Sequence, residues 1–336
     1  MSFFHIEKED IMGIGTFGLF RRVLVRTASA LYGPLRIGID GVGRNLLLKA
    51  GDRLWPRTSA AADTPVELKV GGVAVSLVVD RSHANERLLE YGGKQLVGTF
   101  RRSPLGRLIR ETFRDGAGTF LDVGANLGVY SLLARAEGAA THLFEPEPRH
   151  ADFLARNAPV FGVIHPVALS NRCGMASLRL GVSEKPGVSS LAGAADDAIY
   201  AGGVAVPVTT LDKIVGQAPS IDWADVRLIK VDVEGHETET MAGMQGLLRS
   251  LPNVCVWCEV RGPASGRGAD SYVAVVEMMR ALGFDAFWGA GRRLRPFAPR
   301  QGTALPQVFD LRFERPESGG YQTQSGCLPV ASTKLL

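Results

Sequence analysis

The chemistry-bearing residues fall into two groups. One is Asp232-Val233-Glu234-Gly235-His236-Glu237, where three acids and a histidine stand directly behind the apolar run VRLIKV, residues 226–231. Ionisable groups at the end of a core strand are costly unless they are solvated, paired or used. On extended chain Asp232, Glu234 and His236 share a face, so up to three ionisable groups can enter one crevice. Such a set can accept a hydroxyl proton. His236 is favoured as the base because its reference pKa lies nearest neutrality, with Asp232 orienting a cofactor or the acceptor. The alternative is that Glu234 and His236 brace the helix that follows. A divalent cation on Asp232 and Glu234 has no evident third ligand, so no metal is expected.

The other group lies in TFLDVGANLGVYSLLAR, residues 119–135, which reads as a buried strand, a glycine turn and a helix start. A helix opening behind a parallel strand turns backbone N–H groups and its positive dipole end toward a crevice. Asp122 ends this strand, and Glu145 follows 23 positions later at the tip of the next, AATHLF. An acid there suits the ribose hydroxyls of a nucleoside. Two rivals fail on residue types. A dinucleotide fingerprint needs glycines at 124, 126 and 129, where the chain has Gly124, Asn126 and Val129, and no Lys-Ser/Thr pair follows the turn as a P-loop requires. A ligand with a ribose and an amino-acid end but no phosphates fits, and S-adenosylmethionine meets that description.

Elements that could position these groups alternate along the chain. Residues 66–80 read as a hairpin around Gly71-Gly72, and 83–115 as mainly helical. Strands are predicted over 119–123, 139–144, 163–169, 226–231, 253–260 and 307–313, with helices at 150–157, 237–250 and 270–282. Residues 175–180 and 204–208 suggest an added hairpin, and the Gly/Ser/Ala-rich span 181–203 between them a mobile loop over the site. The pattern implies an α/β fold with a doubly wound, mostly parallel sheet and a terminal antiparallel strand. The organisation reads as a basic extension (1–65), a hairpin and helical lead-in (66–118), the main domain (119–315) and a disordered tail (316–336).

Composition bounds the remaining classes. The 336 residues are 46% hydrophobic, enough for a substantial core, and a net charge of +4 says little about partners. No Lys/Arg run alternates with aromatics, so nucleic acid is not an expected partner. The excess charge sits in residues 11–57, with eight basic side chains against two acids. There Phe17, Phe20, Leu24, Ala28 and Leu31 share a helical face opposite Arg22 and Arg26. Such a helix can make peripheral contact with an anionic membrane, or pack on the main domain or a second subunit. No apolar run reaches the ~20 residues of a membrane span, and MSFFHIEKED is acidic where a secretory signal is basic. Four scattered cysteines argue for a reducing cytoplasmic setting, with the inner membrane surface as the peripheral alternative. Cys255 and Cys258 lie on one strand at a spacing that sends them to opposite faces, which reads as two buried side chains.

In this order, FLDVGANLGVYS, HLFEPEPRHADFLARN, HPVALSN, VTTLDKI and LIKVDVEGHE resemble the FkbM family of S-adenosylmethionine-dependent methyltransferases. The similarity covers roughly residues 66–315. The resemblance implies a class I, Rossmann-like methyltransferase fold and methylation of a hydroxyl on a sugar, glycan or secondary metabolite. It implies that Asp122, Gly124, Ala125, Asn126 and Gly128 surround the methionine portion of the cofactor, that Asp122 meets its amino group directly or through water, and that Glu145 takes both ribose hydroxyls. The competing class is a non-catalytic scaffold that keeps the fold and docks through its basic helix.

Overall fold

The structure, a computed structural model, describes residues 64–181, 189–191, 200–218, 221–262, 271–288, 294–298 and 305–316. The basic amphipathic segment 11–57, the tail beyond 316 and most of the span 181–203 lie outside the described residues.

Among the described residues the central sheet has eight strands. Alternating apolar residues form β3 (Thr119–Val123), β4 (Ala140–Phe144), β5 (Val163–His165), β9 (Val226–Val231) and β10 (Cys255–Arg261), all mutually parallel. Beyond β10 stand β13 (Val308–Glu314), β11 (Asp285–Trp288) and the short β12 (Arg295–Pro296), giving the order β5-β4-β3-β9-β10-β13-β11-β12. The last long strand, β13, is antiparallel to both its neighbours and is inserted between β10 and β11. β11 was not anticipated: its four residues, DAFW, follow Gly283 at φ +83 too closely for a strand pattern to show. Strand order reverses between β3 and β9, the position at which open α/β sheets bind ligands.

Helices cover both faces. On one lie α1 (Ala84–Arg102), α2 (Pro104–Thr112), α3 (Val129–Ala136), α4 (Pro148–Arg156) and the single turn α5 (Ala158–Phe161), together with the hairpin β1 (Thr64–Val70) and β2 (Val73–Val79). The other face carries α6 (Leu211–Gln217), α7 (Glu237–Ala242), α8 (Gln245–Ser250) and α9 (Ser271–Ala281). Strand alternation assigns the side chains: Phe120 and Leu228 enter the first core, Leu121 and Ile229 the second. Cys255 and Cys258 divide in the same way, and burial pushes both thiols up.

The expected single helix over 237–250 is broken in two. Gly243 lies against the Ser170 carbonyl, where a Cβ would come within 1.9 Å, and Asp212 then caps α8 by accepting from the Gly246 and Leu247 N–H groups at 2.8 Å each. Ser103 ends α1, and its hydroxyl accepts from Gly106 to start α2 behind Pro104. Between β5 and α6 the chain adds a small sheet, ordered β6 (Ala168–Leu169), β8 (Tyr200–Thr209), β7 (Gly174–Gly181).

The lead-in is bound to the main layer by buried polar contacts. Asn157 accepts from the Val78 N–H at 2.7 Å and donates to the Val78 and Phe153 carbonyls at 2.9 Å each. Glu86, 2% exposed, takes the Asp80 N–H and the Arg156 guanidinium. Unpaired backbone groups left at Val78 would carry their desolvation penalty, roughly 1–3 kcal/mol each. Asn157→Ala is therefore expected to lower the unfolding free energy by about 2–4 kcal/mol in urea titration; a change below about 0.5 kcal/mol would contradict this role for the side chain.

Candidate active site

A cavity opens at the carboxyl ends of β3, β4 and β9. Its floor is the glycine turn after β3, and α1 closes one side with Leu96 and Phe100. The turn needs its glycine: Gly124 has φ +79, and a Cβ there would meet the Asp232 carbonyl oxygen at 1.9 Å. Asn126 is also left-handed, at φ 52. The N–H groups of this turn point inward, unlike the open donors expected from sequence. Gly124 and Ala125 donate to the Phe144 carbonyl at 2.9 and 3.2 Å, Asn126 to Glu145 Oε2 at 2.7 Å, and Gly128 to the Ala125 carbonyl at 2.8 Å. A pyrophosphate would need those donors.

Gly124, Ala125 and Asn126 line the cavity, whereas Gly128 and Asp122 do not. Gly128 is the left-handed cap of α3, pressed on Phe161, where a Cβ would approach within 2.6 Å. Asp122 is 1% exposed and points under the cavity floor, because its parity on β3 is that of Phe120, on the α1–α3 face. There its Oδ2 accepts from Ser131 Oγ at 2.7 Å and its Oδ1 lies 3.2 Å from Lys230 Nζ. A direct contact between Asp122 and a ligand's amino group is thus not what this geometry offers.

Lys230, missed in the sequence, fills the gap. It stands opposite Asp122 in the β3–β9 register, and its ammonium also donates to the Gly124 carbonyl at 2.8 Å and pairs with Asp232 Oδ2 at 3.4 Å. Burial lowers its pKa, but Asp122 and Asp232 more than offset that, so it stays charged. A charged residue inside an otherwise apolar strand, LIKV, was the available signal.

Glu145 lines the cavity at 5% exposure with both oxygens fixed: Oε2 by the Asn126 N–H and Oε1 by the Glu147 N–H at 2.8 Å. Each oxygen keeps a second lone pair. Burial raises its pKa against the lowering pull of His150 and the two N–H donors. Beside it Glu147 contacts His150 Nδ1 at 3.2 Å and accepts from Ser189 Oγ at 2.8 Å. Ser190 in turn donates to the Glu234 carbonyl at 2.7 Å, so residues 189–190 connect the β4 and β9 sides of the cavity.

Asp232, Glu234 and His236 all line the cavity. Glu234 has a left-handed backbone at φ 55, rare for a residue with a Cβ, and its carboxylate pairs with Arg261 from β10. Burial, then repulsion from Asp232, pushes its pKa up to about 7 despite Arg261. His236 is held at both nitrogens, Nε2 by Ser170 Oγ at 2.9 Å and Nδ1 3.5 Å from Glu239. Burial lowers its pKa, with Glu239 acting in the opposite sense. Glu259 on β10 supplies the third carboxylate not evident from spacing: it, Asp232 and Glu234 bring oxygens within 4.8 Å of one another. Arg261 pairs with Glu234, and Lys230 is shared between Asp232 and Asp122.

Several known proteins are similar to this chain. The hexuronic acid methyltransferase AglP of Haloferax volcanii is 28% identical over 203 residues, 59% of this chain and 76% of its own. Among solved structures, a TehB-like SAM-dependent methyltransferase from Corynebacterium glutamicum aligns over 69% of this chain and 95% of its own at 14% identity and TM-score 0.36. An O-methyltransferase from Bacillus cereus aligns over 66% and 88% at 11% identity and TM-score 0.34. Residues 122–286 match the methyltransferase FkbM domain, and they span the glycine turn, Glu145 and the whole 232–259 cluster. Over this segment the chain is similar to the FkbM methyltransferases.

Proposed function

We propose that the chain transfers a methyl group from S-adenosylmethionine to a hydroxyl of a sugar or glycan, with acidic sugars the first class to try. The observation that carries the reading is Glu145, a buried carboxylate aimed at the cavity by two backbone N–H groups, on the same pocket as Asp232, Glu234 and His236. Glu145 accepts the two ribose hydroxyls through its remaining lone pairs, and the glycine turn lets the methionine portion lie close to the main chain. The relative that acts on a hexuronic acid supports a sugar acceptor.

The cofactor supplies a sulfonium that activates its methyl carbon. The protein's task is then to align an acceptor oxygen behind that carbon, exclude water and remove the hydroxyl proton as the C–O bond forms. Glu234 is the base in this reading. Its pKa near neutrality matches the proton transfer, its carboxylate is oriented by Arg261, and its left-handed backbone presents it to the cavity. His236, held by Ser170 and Glu239, shapes the acceptor side, a different assignment from the base expected of it in sequence.

Isothermal titration of the full chain with S-adenosylmethionine is expected to show saturable binding, weakened at least about 100-fold by Glu145→Ala, from two lost bonds to a charged acceptor at about 1.5–3 kcal/mol each. Absence of binding by the folded wild-type chain would sink the reading. A base must be deprotonated to act, so kcat is expected to rise with pH through about 7 and level off above. Glu234→Gln should lower kcat by about 10²–10⁴-fold and remove that rise. A transfer assay with radiolabelled methyl donor against uronic acids and glycans checks both, and an unchanged profile in Glu234→Gln would reassign the base.

A further inference from the structure

Lys230 takes no part in the transfer described above, yet it is the most fully engaged side chain at the cavity. Its ammonium donates to the Gly124 carbonyl at 2.8 Å and forms ion pairs with Asp122 Oδ1 at 3.2 Å and Asp232 Oδ2 at 3.4 Å. The Tyr130 ring lies 5.9 Å from the ammonium, and Tyr130 too lines the cavity. The three acceptors differ in what they face. Asp122 is buried beneath the floor with its other oxygen taken by Ser131, whereas Gly124 and Asp232 line the cavity. Lys230 therefore ties a buried anchor to two groups that a ligand can touch.

Charge balance makes the arrangement selective. Asp122, Asp232 and Lys230 together carry one net negative charge. Because Asp122 is buried at 1% and the Asp232 side chain is 34% exposed, that charge is presented to the cavity at Asp232. The backbone of Asp232 also lies against the turn: its N–H donates to the Val123 carbonyl at 3.0 Å, and Gly124 sits close on its carbonyl. A ligand ammonium placed between them would meet the Asp232 carboxylate, with the Glu234 and Glu259 carboxylates close behind it.

We infer that Lys230 is a positioning residue for the charged amino-acid arm of the cofactor, holding the Asp232 carboxylate and the Gly124 turn in the orientation that reads the arm's ammonium. The inference rests on the S-adenosylmethionine reading, and it assigns to Asp232, through Lys230, the contact that sequence had given to Asp122. Lys230 acts on the arm alone. The ribose end stays with Glu145, on the far side of the turn.

Two ligands separate the ends: S-adenosylhomocysteine carries the amino-acid arm, and 5′-methylthioadenosine is the same nucleoside thioether without it. Calorimetric affinities for both are measured on the full chain, on Asp232→Asn, on Lys230→Met and on the charge-balanced Asp122→Asn/Lys230→Met. The double variant removes a buried pair together, which keeps the fold free of an uncompensated charge if the single variant unfolds. The wild type is expected to prefer S-adenosylhomocysteine, and Asp232→Asn and the double variant to lose about ten- to hundred-fold of that preference with methylthioadenosine affinity unchanged. A wild-type-like preference in either variant, or an equal loss for both ligands, would overturn the inference. Failure of the wild type to bind either ligand would instead overturn the cofactor reading.

Discussion

One buried ammonium organises the centre of this molecule. Lys230 and Asp122 face each other on adjacent parallel strands, on the face whose core includes Phe120, Leu143, Leu228 and Trp257. Taking either charge out of water alone would cost several kcal/mol, so neither position is tolerable without the other. The pairing has a geometric consequence. It draws the carboxyl ends of β3 and β9 together at the point where strand order reverses, and the ammonium's third bond pins the carbonyl of the glycine turn. The cavity is shaped by the same contacts that make the buried charges acceptable.

The rest of the site is rich in acceptors. The N–H groups of the turn at Gly124, Ala125 and Asn126 are spent inside the protein, and the groups left facing the cavity are carboxylates: Glu145, Asp232 and Glu234. Such a surface suits ligands that donate hydrogen bonds or carry positive charge, a ribose and an ammonium among them, and offers little to a phosphate. Glu145 is preoriented by two backbone donors, so ordering it on binding carries little further entropic cost. The lead-in helix α1 and residues 189–190 complete the walls, and through α1 a part of the chain outside residues 122–286 contributes to the pocket.

The strands β3, β4, β9 and β10 were legible because each is a short β-rich apolar run bounded by glycine, proline or charge. β11 was not, since four residues carry no periodicity, and the break at Gly243 depends on a close approach to Ser170 that only the folded chain creates. Among site residues, Glu145 and the Asp232–Glu234–His236 group were readable from position at strand ends, and all four line the cavity. Asp122 was readable as important, and the structure buries it beneath the cavity floor. Its type and spacing suit a ligand contact, while its side chain direction follows from strand parity and from Lys230, a partner 108 positions away. Arg261, Glu259 and Ser170 were given no part in the site for the same reason: each joins it by crossing to another strand or loop, a distance that spacing along one element cannot encode.

A crystal structure of the full chain with S-adenosylhomocysteine tests the account most directly. The expected result places both ribose hydroxyls on Glu145 and the arm's ammonium beside Asp232 and the Gly124 turn, with Asp122 still paired to Lys230. A nucleoside bound away from Glu145, or an arm that displaces Lys230 to reach Asp122, would contradict it.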